Sequence, residues 1–92
     1  MQDRPWDPEK ARSNLAEHGV AFEEARSIVL DPLTRFWPDN EHSVAEDRVI
    51  AIGIRRSGGA LFIVIAIDRQ GRMRIISARR ATKRERHADE TR

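Results

Sequence analysis

The sequence predicts an α+β domain: a helical hairpin packed on a small antiparallel sheet, a meander, followed by a short C-terminal helix. Three observations lead there. Two segments with helical apolar spacing lie on either side of Gly19. Two near-continuous β-branched runs, residues 48–54 and 60–67, are joined by Ser57-Gly58-Gly59, which reads as a hairpin turn. Thr82 and Glu85 have the spacing of a capping box just beyond the last apolar strand.

Each element follows from local rules. Asp7-Pro8-Glu9 opens the first helix: Asp7 can cap free amides, Pro8 suits the first position and Glu9 suits the positive end of the dipole. That helix should run to His18 and stop at Gly19, with Ala11, Leu15, Asn14 and His18 on its inner face. A second helix is predicted from Ala21 or Phe22 to about Leu30, burying Phe22, Ala25, Ile28 and Val29, although Ala21 offers no capping oxygen. Asp31-Pro32 ends it. A short strand is expected over 33–37, then a polar loop over 38–47, then strands over 48–54, 60–67 and 73–78. Phe62 should be buried, and the last strand should alternate, with Arg74, Ile76 and Ala78 facing one way and Met73, Ile75 and Ser77 the core. Residues 82–92 should start a helix, yet only Ala88 is apolar beyond the capping box, so this end is either frayed or ordered by a bound anion or partner.

The 92 residues make one domain, 1–92, with 83–92 its least secure part. The absence of cysteine excludes a disulfide scaffold, a zinc ribbon and thiol catalysis, and fits a reducing compartment. The start carries no signal-peptide pattern, and the longest apolar run, Ala60 to Ile67, is far short of the roughly 20 residues of a membrane span. The expectation is a soluble, cytoplasmic protein.

A formal net charge of +2 conceals a division. Residues 7–47 hold ten acids against four bases, a net of −6, whereas 69–86 hold eight bases against Glu85 alone, a net of +7. Such segregation suggests a polyanion or an acidic partner at the C-terminal end; the plainer alternative is neutralisation within the chain.

Trp6 to Val20 reads W-D-P-x-K-A-x-x-N-L-x-x-H-G-V, followed by F-E-E-A from Phe22, H-S-x-x-E-x-R from His42 to Arg48, and R-I-I-S-A-R-R-A-T-x-R-E-R from Arg74 to Arg86. In order and spacing these resemble the BrnT family, toxins of bacterial type II toxin–antitoxin pairs. The resemblance implies a RelE-like fold, a ribonuclease that arrests translation without a metal or other cofactor, and a BrnA-like antitoxin with a ribbon-helix-helix domain. Operator DNA would be bound only through that antitoxin. Family members begin with a strand ending at Trp-Asp; here Pro5 cannot donate to a ladder, so such a strand would be short, at an edge or absent.

In such an enzyme the ribose 2′-hydroxyl attacks the adjacent phosphorus, and fixed cations stabilise the charge that builds on the phosphate oxygens. Arg79 and Arg80, beside Lys83 and Arg84, are the expected phosphate clamp, with Arg48 its second catalytic candidate and Arg74 turned toward RNA on the open face of the sheet. Glu85 is the best-placed carboxylate for a general base, but surrounding cations would lower its pKa, and helix capping with arginine pairing is the stronger reading of it. His18 suits a helix end, His42 precedes Glu46 by four in a polar loop, and His87 lies on the tail; none stands out as an acid–base group or metal ligand. Trp6 and Trp37 read as packing or as stacking partners for a base. The rival function is a basic module that binds nucleic acid or an acidic protein and performs no chemistry.

Overall fold

The computed structural model describes residues 6–42 and 47–90. The expected strand before Trp6, and Glu46 in the polar loop, fall outside that span. The elements run α1 (Pro8–His18), α2 (Phe22–Val29), β1 (Arg35–Pro38), a 3-10 turn (Asn40–His42), β2 (Asp47–Ile54), β3 (Ala60–Ile67), β4 (Met73–Arg80) and α3 (Lys83–Glu90). The described strands form one antiparallel sheet in the order β1-β2-β3-β4, so each is joined to its neighbour as a meander. The α+β architecture read from the sequence is the one observed.

Asp7 caps α1 as its side chain predicts: Oδ1 accepts from the Glu9 amide at 2.9 Å, and Gly19 closes the helix in the left-handed region at φ 68°. The inner face matches expectation at Asn14 but not at Leu15 or His18, which are exposed. Leu15 is 52% exposed and Asn14 is buried. The reason lies across the molecule, where α1 packs along the outer edge of β4. There the Asn14 amide accepts from the Ala78 N–H (3.1 Å) and donates to the Ala78 carbonyl (2.7 Å) and the Val20 carbonyl (3.0 Å). One side chain thus satisfies backbone groups that a sheet edge would otherwise leave unpaired.

α2 buries the four residues its spacing assigns, and no side chain caps its start at Ala21. Trp6 meets Phe22 edge to face, with centroids 5.9 Å apart and planes at 77°, which fixes the entry to α1 against α2. The core between helices and sheet contains Val20, Phe22, Ala25, Ile28, Ala51, Leu61, Ile63, Ile65, Ile75 and Ala78. Full burial of an aliphatic side chain of this size contributes about 1.5–3 kcal/mol.

β1 begins two residues later than predicted. Asp31 Oδ1 accepts from the Leu33 amide (2.8 Å), and the Thr34 amide donates to the Asp31 carbonyl (3.1 Å), which makes 31–34 a turn. Thr34 Oγ1 donates to the Ile28 carbonyl, tying that turn to α2. Helix and sheet approach closely at Gly53, where an added Cβ would lie 2.3 Å from Ile28 Cγ2 and 2.7 Å from Thr34 Oγ1.

β4 extends to Arg80 and carries a bulge. Val64 pairs with Ser77 and Ile65 with Ile75, leaving Ile76 as the extra residue. The simple alternation expected for this strand therefore fails. Ile75 and Ala78, three apart, both face the core, while Arg74, Ser77 and Arg79 face away from the helices. The prediction for Arg74 holds, and those for Ala78 and Ser77 are reversed by the one inserted residue.

Candidate functional site

The sheet face away from the two-helix layer follows from register, because residues directly opposed in antiparallel strands point to the same side. One row across the sheet reads Arg35, Ile52, Phe62, Arg79; the next reads Trp37, Ile50, Val64, Ser77; a third reads Arg48, Ala66, Arg74. Four arginines from three strands thus border an apolar strip that includes two aromatic rings. Small Ala66 lies between Arg48 and Arg74.

At one end of this face the geometry is tightly built. The Arg79 guanidinium carbon lies 4.3 Å from the centroid of Phe62, over the ring face. Its Nη1 and Nη2 donate to Glu85 Oε1 and Oε2, both at 2.8 Å, and Nη1 also reaches the Arg80 carbonyl at 3.1 Å. Glu85 completes a capping box: its amide donates to Thr82 Oγ1 (3.1 Å) and its Oε1 accepts from the Thr82 amide (2.8 Å). One carboxylate therefore starts α3 and fixes the arginine. The Arg79 hydrogen bonds hold the Glu85 carboxyl below its ordinary range against the opposing effect of burial, with the Thr82 amide assisting; the same pairing raises Arg79.

The sequence-derived candidates separate in space. Arg48, Arg74 and Arg79 share the open face, but Arg80 does not join them. Adjacent strand residues point to opposite sides, so the pair expected as a joint clamp straddles the sheet. Arg80 instead lines a cavity at the sheet end with Arg55 and Arg86. Lys83 and Arg84 are exposed in the first turn of α3. His18 is at the far side, by the α1–β4 depression, with Nε2 3.8 Å from Glu17 Oε2. His87 is exposed on α3. Among the described residues no group of three or more His, Asp or Glu side chains is arranged to hold a metal ion.

Sequence reasoning passed over Arg35 and misjudged Phe62, which is half-buried beneath Arg79 instead of lying in the core. The signal for Arg35 was present: Arg35 and Trp37 alternate with Phe36, so a strand there places both on one face.

The motif series from Trp6 to Arg86 and this basic sheet face are joined by a match to a known family. The model describing the ribonuclease toxin BrnT of type II toxin–antitoxin systems matches residues 6–85. The chain belongs to the BrnT toxin family. No curated protein matches it in a sequence search. Membership makes it a toxin of the ribonuclease class, which carries with it an antitoxin partner and an RNA substrate. The BrnT match takes in α1 through β4 and ends at Glu85, the residue that orders Arg79. None of the described helices is long and apolar enough to cross a membrane.

Proposed function

We propose that this BrnT-family chain is a metal-independent endoribonuclease that holds RNA on the open face of its sheet and cleaves it through the ribose 2′-hydroxyl. The observation that carries the reading is the convergence of Arg35, Arg48, Arg74 and Arg79 around Trp37 and Phe62. Arginine forks grip phosphate oxygens in pairs, and an aromatic ring such as half-buried Trp37 stacks on an unpaired base, while Phe62 supports Arg79. In the step itself the 2′-hydroxyl gives up its proton as its oxygen bonds to phosphorus, the bond from phosphorus to the 5′-oxygen breaks, and that oxygen takes up a proton and leaves as a hydroxyl, so one proton is released for each one consumed. The products are a 2′,3′-cyclic phosphate and a 5′-hydroxyl end. Arg79 and Arg48 stabilise the charge on the non-bridging oxygens, while Arg74, Lys83 and Arg84 draw in the flanking strand.

Glu85 acts here as a positioning residue. Both of its oxygens are engaged by Arg79, and its depressed pKa makes it a poor proton acceptor near neutrality. Glu85→Gln should then lower kcat while leaving the acidic limb of the pH–rate profile where it is. Loss of that limb would identify Glu85 as the base.

The main test is cleavage of RNA by antitoxin-free protein in excess chelator, with analysis of the new ends. Arg79→Ala should reduce kcat at least 100-fold, the order expected on removing one transition-state donor, with the cooperative unfolding of the sheet and first two helices retained even where α3 loses its Glu85–Arg79 anchor. If every RNA stays intact, with and without ribosomes, the reading is wrong. A second reading, binding without chemistry, is favoured by one feature: the carboxylate nearest Arg79 is fully committed to it. Retained binding with no cut ends would select it.

The partner is proposed to be a BrnA-like ribbon-helix-helix antitoxin whose acids lie against the basic face and whose apolar side chains meet the sheet edge. A small protein encoded beside this one should co-purify with it, and operator DNA should be retained only by the complex.

A further inference from the structure

A cavity of about 200 Å³ opens at the end of the sheet, lined by Arg55, Gly58, Gly59, Ala60, Arg80, Ala81 and Arg86. Three elements converge on it: the β2–β3 hairpin turn, the last residue of β4 and the first turns of α3. The volume equals that of roughly six or seven liquid waters at ~30 Å³ each, enough for one hydrated phosphate group. Among the described residues, those that line it and carry charge are Arg55, Arg80 and Arg86.

Among the described side chains only Arg55 of the three has a carboxylate partner. Arg55 is fixed by Glu24 of α2: Nε donates to Oε2 and Nη2 to Oε1, both at 2.8 Å. That pair locks the guanidinium plane and leaves Nη1 uncommitted. For Arg80 and Arg86 no carboxylate or other side-chain partner occurs among the residues whose side chains are described. Two such guanidiniums around one hollow repel each other unless an anion lies between them. Arg79, one residue away, differs in this respect, being neutralised by Glu85 on the opposite side of the strand.

We propose that the Arg55–Arg80–Arg86 cavity is a phosphate site that holds one backbone phosphate of the RNA strand, outside the reacting centre. The inference rests on the RNA-binding reading above and adds a second point of grip to it. Because Arg79 and Arg80 are successive residues of β4, a strand leaving the open face at Arg79 need only turn over the sheet end to bring a neighbouring phosphate to Arg80. The locked Arg55 fork supplies a preorganised donor, and Arg80 and Arg86 supply two further positive charges.

The test is the salt dependence of binding to a 2′-O-methyl oligoribonucleotide, which cannot be cleaved. Each phosphate neutralised on single-stranded nucleic acid contributes about 0.7 to the slope of log K against log salt. Arg86→Ala and Arg80→Ala should each weaken binding several-fold at low salt and reduce the slope by about 0.7, and the double variant should reduce it little further, since one phosphate is lost in all three. Arg12→Ala removes the same charge from exposed α1 and should leave the slope alone. Unaltered slopes in both pocket variants overturn the proposal. So does an unchanged RNA slope accompanied by inorganic phosphate shifting the Arg55, Arg80 and Arg86 side-chain NMR signals, which would mean a free-anion site. An unchanged RNA slope with a salt-sensitive loosening of the antitoxin complex overturns it too, in favour of a protein carboxylate. Cleavage is measured separately: a chain that shows the slope effect yet cuts nothing refutes the nuclease, and one that cuts with unaltered slopes refutes only this site.

Discussion

Asn14 does for the outer edge of β4 what a neighbouring strand would do, accepting and donating at Ala78 while also holding the Val20 carbonyl. Asn14→Ala would strand three buried backbone groups, at a cost of about 2–4 kcal/mol given 1–3 for each and incomplete additivity. The melting temperature should fall by more than roughly 8 °C for a domain of this size. Asn14→Asp is the sharper probe: it keeps the acceptor for the Ala78 amide but sets a carboxylate against two carbonyls, so it should be no better than alanine at neutral pH. Gly53 presents a different kind of constraint, since a methyl group there meets Ile28 and Thr34 well inside contact distance. Gly53→Ala should destabilise by about 1–3 kcal/mol through overpacking, read from a chemical-denaturation midpoint with an unchanged slope.

At the scale of elements, α3 depends on few groups. Its residues are strongly polar, and its described anchors are the Thr82–Glu85 box and the Glu85–Arg79 fork. Glu85 has a folded pKa below its ordinary 4.5, so its contribution is fully present above that value and lost as pH falls through the folded value. Amide-exchange protection of α3 should therefore decline on acidification below about pH 4.5, and Glu85→Gln should remove most of that pH dependence while retaining an acceptor for the Thr82 amide. Protection that persists unchanged into acid would show that other contacts hold the helix. The bulge at Ile76 is the other decisive local feature. Period-two alternation gives the correct side for Arg74 and the wrong side for Ser77 and Ala78, because nothing in the residue types of I-I-S-A announces an insertion.

Across the whole molecule, the acidic first half and basic last third meet only in part. Glu24 pairs with Arg55 between α2 and the end of β2, and Arg79 takes Glu85 from its own neighbourhood, so neutralisation within the chain accounts for some arginines, while Arg80 and Arg86 at the sheet end have no carboxylate partner among the residues whose side chains are described. RNA affinity should accordingly fall steeply with salt, and replacing Arg48 and Arg74 together should reduce the salt slope by about 1.4, two phosphates' worth, in a filter-binding or fluorescence titration. By itself the sequence determined the helical hairpin, the meander, the Asp7 cap of α1, the Thr82–Glu85 capping box of α3 and the family, because caps, turns and apolar periods act over a few residues and are written in adjacent letters. Only the tertiary structure decided that Leu15 is surface while Asn14 bonds the edge of β4, that Phe62 is a platform for Arg79, and that Arg79 and Arg80 serve opposite sides of the sheet. Those outcomes depend on register, one inserted residue and groups distant in the chain, such as Asn14 and Ala78, whose pairing no local pattern encodes.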